Sequence, residues 1–132
     1  MAGRREAREA ALQALFAIDV GRRDPGEALT EAFETPNARG QEPFVKQLVL
    51  GTLEHVARSD ETIAPLLKDW TIERLPTIDR LILRMAVYEL IDGQTPRAVA
   101  INEAVELAKK YSTADSGRFV NGVLSRVGQA RT

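Results

Sequence analysis

The chain has 132 residues, of which 44% are hydrophobic and 28% charged. That suits one soluble domain, spanning 1–132, with a core of its own. It contains no cysteine and a single histidine, His55, so disulfides, thiolate metal sites and histidine metal clusters are excluded. There is no run of about eighteen apolar residues and no signal peptide, so neither a membrane span nor export is indicated, and the cytoplasm is the expected location.

The net charge of −1 is unevenly spread. Residues 1–23 stand at +2, residues 24–69 at −5, residues 70–95 at −1 and residues 96–132 at +3. Basic ends around an acidic middle predict two different surfaces, one for an anion and one for a basic partner.

In chain order, almost everything predicts helix. The first helix spans about 4–20, with Ala7, Ala11, Ala14, Leu15 and Ile18 on one face and Gly21 as its stop. Leu12 and Phe16 widen its apolar arc, which calls for neighbours on two sides. Asp24 caps a second helix with Pro25 in its first turn. A third runs through EPFVKQLVLGTLEHVARS, and Ser59 or Asp60 caps a fourth, ETIAPLLKDW, weakened by Pro65.

Thr77 caps a fifth helix that Gly93 ends. Ile78, Leu81, Ile82, Leu83, Met85, Ala86, Val87, Tyr88, Leu90 and Ile91 cover nearly its whole circumference, the pattern of a helix in the middle of a bundle. Thr95-Pro96 opens the sixth, and the seventh begins near Asp115, with Asp115 or Ser116 as its cap. No alternating strand pattern, repeat or low-complexity linker is present. The expected fold class is all-α.

No catalytic constellation emerges. His55 lies on a helix among Leu53, Val56 and Ala57, away from any paired nucleophile. Glu103 and Glu106 are spaced to pair with Lys109 and Lys110 along one helix. No phosphate-binding glycine motif occurs. The chain reads as a non-enzyme without a cofactor or metal.

Two segments remain. Arg4, Arg5 and Arg8 crowd a helix start, the electrostatically unfavourable end for arginine. They read either as a solvated terminus or, together with the helix N-terminus, as an anion site for phosphates. In ADSGRFVNGVLSRV, Val120, Val123, Leu124 and Val127 form a buried stripe, and Arg118 and Phe119 fall in the first turn. Phe119 taken alone reads as core. Gly122 is expected to admit a close neighbouring helix.

Three blocks, RREAREAALQALF, LPTIDRLILRMAVYEL and VAINEAVELAKKYSTADSGRFVNGVLSRV, together resemble the NusB family of transcription antitermination factors. The resemblance runs from Arg4 to Val127 in family order. It implies two packed three-helix bundles and about seven helices. It further implies binding of single-stranded boxA RNA with NusE, a small-subunit ribosomal protein, within the complex that modifies RNA polymerase during ribosomal RNA transcription. A homodimer is implied when the partner is absent.

Carried over by position, the RNA surface takes Arg4, Arg5, Arg8 and Gln13 from the first helix, Asp115, Ser116, Arg118 and Phe119 from the last, and Trp70 as a further aromatic. The partner surface takes Glu73, Arg74, Asp79 and Glu89. Glu6 departs from the pattern, standing where an arginine is common. Two other readings fit the same chain. One is a relative of the N-terminal RNA-binding domain of a ribosomal RNA cytosine methyltransferase, which would need a further domain and a catalytic cysteine. The other is a helical protein-interaction module whose arginines only solubilise a terminus.

Overall fold

A computed structural model describes residues 3–128. Among them there are seven α-helices and no strands, so the fold is all-α. The chain divides into two compact units, one up to Glu54 and one from His55.

The first unit is a three-helix bundle. Helix α1 (Arg4–Asp19) packs against both α2 (Pro25–Phe33) and α3 (Glu42–Glu54), as its wide apolar arc predicts. Ala7, Ala10, Ala11 and Ala14 of α1 are buried, and such small side chains let neighbouring helices come close. Leu12, Leu15, Leu48 and Val49 fill the space that remains, each gaining about 1.5–3 kcal/mol from leaving water. The Asp24 side chain accepts from the Glu27 N–H at 3.2 Å, so α2 has the cap its sequence predicts.

In the second unit, α4 (Val56–Ile63) packs on α5 (Thr77–Ile91), which also meets α6 (Arg97–Tyr111) and α7 (Ala114–Leu124). Leu81, Ile82, Leu83, Met85, Ala86, Val87 and Tyr88 of α5 are all buried, in keeping with its apolar circumference. Arg84 holds Asp60 through two 2.8 Å hydrogen bonds, tying α4 to α5 by a planar fork.

Several local expectations are corrected. The third helix does not run through ARS. It stops at Glu54, His55 takes a non-helical backbone (φ −108°, ψ 21°), and a new helix starts at Val56. The fourth helix therefore begins earlier than Ser59, and Pro65 confines the chain after Ile63 to a short 3-10 turn over Ala64–Leu66. Residues 67–71 are not helical. The cap of α7 is neither Asp115 nor Ser116 but Thr113, whose hydroxyl accepts from the Ser116 N–H at 3.0 Å. The backbone of α7 begins one residue before Asp115, so both Asp115 and Ser116 fall inside the first turn.

Gly122 admits no close neighbour either: a Cβ built there meets nothing within 4 Å. The close approach lies one turn earlier, at Gly117, where an added Cβ would stand 2.9 Å from Lys109 Cγ.

Candidate nucleic-acid interface

The first unit carries the arginine-rich start of α1. Gly3 is the N-cap, and its N–H donates to Glu6 Oε1 at 2.8 Å. Glu6 thus satisfies one of the backbone donors that a helix start leaves over, and its charge is favourable beside the helix N-terminus. The departure from the family pattern at this position has a local structural use.

Arg4, Arg5 and Gln13 are exposed on α1. Arg8 is not: its side chain lies in the interior, 3% exposed. The expectation that Arg8 stands beside Arg4 and Arg5 as an open phosphate contact is corrected on this point, because a buried guanidinium has little surface to offer. Both Arg4 and Arg8 face Phe44 in the first turn of α3, with guanidinium carbons 3.9 Å and 5.1 Å from the ring centroid. These are cation–π distances. Phe44 was not among the residues singled out from sequence. The only signal for it was an aromatic directly after Pro43 in an otherwise polar helix start.

Arg23 lies at the far end of this basic segment and is engaged by α2. It pairs with Glu27 at 3.5 Å and with Glu31, whose hydrogen bond holds the guanidinium still higher above its ordinary value.

The second unit gathers the remaining expected RNA-surface residues, Arg118 excepted, around a groove of about 230 Å³ lined by Trp70, Leu75, Pro76, Asp79, Asp115, Ser116 and Phe119. Asp69, in the left-handed region at φ 59°, turns the chain just before Trp70, a conformation that Asp tolerates better than most residues. Trp70 is 56% exposed, while Phe119 is half-buried, with part of its ring still open to the groove. Phe119 is therefore neither plain core nor a free platform.

On the polar side, Ser116 is buried and donates its hydroxyl to Asp79 Oδ2 at 2.9 Å. The Thr113 hydroxyl donates to Ser116 Oγ at 3.1 Å, and Ser112 Oγ lies 2.9 Å from the same atom. Asp79 Oδ1 is buried and lacks a hydrogen-bond partner. Asp115, at the rim of the groove, forms an exposed ion pair with Arg118.

The four residues expected on a partner surface separate into two kinds. Glu73 and Arg74 are exposed on the 3-10 turn Ile72–Arg74. Asp79 and Glu89 are each 3% exposed, and Glu89 Oε1 accepts from the Thr95 hydroxyl at 2.9 Å. The expected partner surface is corrected at these two positions, which are not at the surface: their carboxylates are held inside by hydroxyl donors, which offset the cost of burying charge. Asp79 differs from Glu89 in lining the groove, so a group entering it would reach Asp79.

His55 stacks on Tyr88 with ring centroids 6.0 Å apart and lies 3.9 Å from Asp92, a structural setting. Glu106 and Lys109 pair at 3.7 Å along α6. Among the described residues no group of three or more His, Cys, Asp or Glu side chains could hold a metal ion. No described helix is long and apolar enough to cross a membrane.

Comparison with known proteins gives a consistent result. The family profile described as the NusB family matches residues 5–129. A transcription antitermination protein NusB of Geobacillus kaustophilus is 51% identical over 125 residues, covering 94% of this chain and 94% of that protein. Among solved structures, one of antitermination factors NusB and NusE in complex with dsRNA superposes with a TM-score of 0.86 at 33% identity, over 96% of each chain. NusB of T. maritima superposes with a TM-score of 0.84 at 36% identity, over 96% of this chain and 91% of that one.

Proposed function

This chain belongs to the NusB family, and on that premise we propose that it is a transcription antitermination factor. It binds single-stranded boxA RNA together with NusE, and serves ribosomal RNA transcription in the cytoplasm as a non-catalytic member of the RNA polymerase antitermination complex. The observation that most supports this reading is the groove in which Trp70 and Phe119 stand beside the hydroxyl and carboxylates of Ser116, Asp79 and Asp115. Sequence-specific recognition of a single strand works by splaying bases onto aromatic or arginine planes while polar groups meet their edges.

Exposed Arg4, Arg5 and Gln13 of the first unit and Arg118 of the second supply the remaining RNA contacts. Arg8 supports them from the interior. Glu73 and Arg74 meet the ribosomal partner at the surface, and Asp79 accepts a hydrogen bond within the groove through its free oxygen. When the partner is absent, the same exposed groups serve a homodimer. The two units act as one RNA-binding domain.

The test is a titration of boxA-like single-stranded RNA, a scrambled strand and a duplex, each with and without NusE. Tighter binding of the boxA strand than of the scrambled strand is expected, strengthened by NusE by about 1–3 kcal/mol, the usual size of such coupling. Binding of none of the three RNAs, with or without NusE, would leave only a protein-interaction module, and equal affinity for all three would overturn boxA recognition.

A further inference from the structure

Phe44 sits under two guanidiniums of one helix face, and they differ in exposure. Arg8 is 3% exposed, whereas Arg4, with its guanidinium carbon 3.9 Å from the ring centroid, is exposed to solvent. A guanidinium held over an aromatic face keeps its opposite face open, and that face is planar, delocalised and weakly hydrated.

We propose that the Phe44–Arg4 pair is a stacking shelf for one RNA base, so that Arg4 acts through its flat outer face and not chiefly as a phosphate contact. This rests on the RNA-binding reading above. Three observations favour a base over a phosphate. The ring 3.9 Å from the Arg4 guanidinium carbon restricts where that side chain can move, so less side-chain freedom is lost when a base stacks there. Glu6 places a carboxylate at the same helix start, bonded to the Gly3 N–H, which weakens the local attraction for phosphate and leaves stacking intact. The buried Arg8, 5.1 Å from the same ring centroid, braces Phe44 from the interior, so the ring beside Arg4 is held in place before a base arrives. The shelf belongs wholly to the first unit and adds a base position to those that Trp70 and Phe119 provide.

The test compares Arg4→Lys with the unaltered protein, using a boxA-like strand and a set of strands each lacking one base. Lysine keeps the charge and loses the plane. The expected result is that Arg4→Lys binds the intact strand on the order of ten-fold more weakly with an unchanged salt slope, within the range of one base stack. At one position, removal of the base costs the unaltered protein about as much and costs Arg4→Lys almost nothing. Phe44→Leu should reproduce this loss and Phe44→Tyr should not, with melting curves confirming that each variant is folded. If Arg4→Lys binds as the unaltered protein does, or loses equally on every strand, the shelf is overturned and Arg4 is a phosphate contact. If the unaltered protein binds no RNA, the RNA-binding reading falls and the shelf falls with it.

Discussion

The Ser116 hydroxyl donates a 2.9 Å hydrogen bond to Asp79 Oδ2 inside the second unit, joining the first turn of α7 to the first turn of α5. It is the bond that fixes the polar wall of the groove beside Phe119. Ser116→Ala removes the donor and leaves a buried carboxylate with neither oxygen satisfied. The expected loss is about 1–3 kcal/mol of folding stability, the cost of a stranded buried polar group. The cap of α7 should survive, since Thr113 accepts from the Ser116 backbone and not from its side chain. Thermal melting measures the loss, and a variant melting with the unaltered protein would show that Asp79 is hydrated from the groove.

Arg5 and Arg8 should respond differently although both stand at the basic start of α1. Arg5 is exposed, so Arg5→Ala is expected to keep its stability and to lower the salt slope of RNA binding by about 0.7, one phosphate contact on a single strand. Arg8 is buried against the Phe44 ring, so Arg8→Ala should cost about 1–3 kcal/mol of stability through lost packing. Equal melting temperatures for the two variants would contradict this division.

Phe119→Ala removes a half-buried ring from the groove. RNA affinity is expected to fall by about 1–3 kcal/mol, the worth of one base–aromatic stack. Stability should fall by less than the roughly 3–5 kcal/mol of a fully buried phenylalanine. A full core-sized loss with unaltered affinity in the folded fraction would assign Phe119 to the core alone.

Two glycines of α7 should answer alanine substitution unequally. At Gly122 the added methyl enters open space, so Gly122→Ala should stabilise by up to about 1 kcal/mol through helix propensity. At Gly117 the methyl meets Lys109 Cγ at 2.9 Å, so the lysine stem must shift and the gain should shrink or reverse. Calorimetry on the two variants reads the difference directly. Gains of equal size would mean that the Lys109 stem moves aside without cost.

Asp115→Asn separates charge from capping, since Thr113 caps the helix. The carboxylate is exposed and paired with Arg118, so its removal takes a negative charge from the groove rim and releases a cation. The loss of a favourable dipole interaction should cost only about 0.3–1 kcal/mol of stability. RNA binding should tighten at low salt, and the gain should fade as salt rises and screening removes the repulsion. Weaker binding of Asp115→Asn at low salt would instead mark the carboxylate as a hydrogen-bond acceptor for a base.

The sequence by itself determined that the protein is helical, because apolar spacing, Pro at helix starts and Gly after helix ends act over a few residues. The Asp24 cap, the apolar circumference of α5 and the Glu106–Lys109 pair were all legible for that reason. Its resemblance blocks likewise pointed to the family. Tertiary structure decided what depends on residues far apart in the chain. Arg8 and Arg5 look alike in sequence, and only the packing of the helices, which brings Phe44 of α3 to 5.1 Å from the Arg8 guanidinium, makes one of them an interior residue. Asp79 and Glu89 read as surface acids on α5 until Ser116 and Thr95 supply hydroxyls that pay for their burial. The break at His55 was hidden because no Pro or Gly marks it. Burial of a charged group is settled by the donors and rings that pack around it, and these are brought together only by the packed helices.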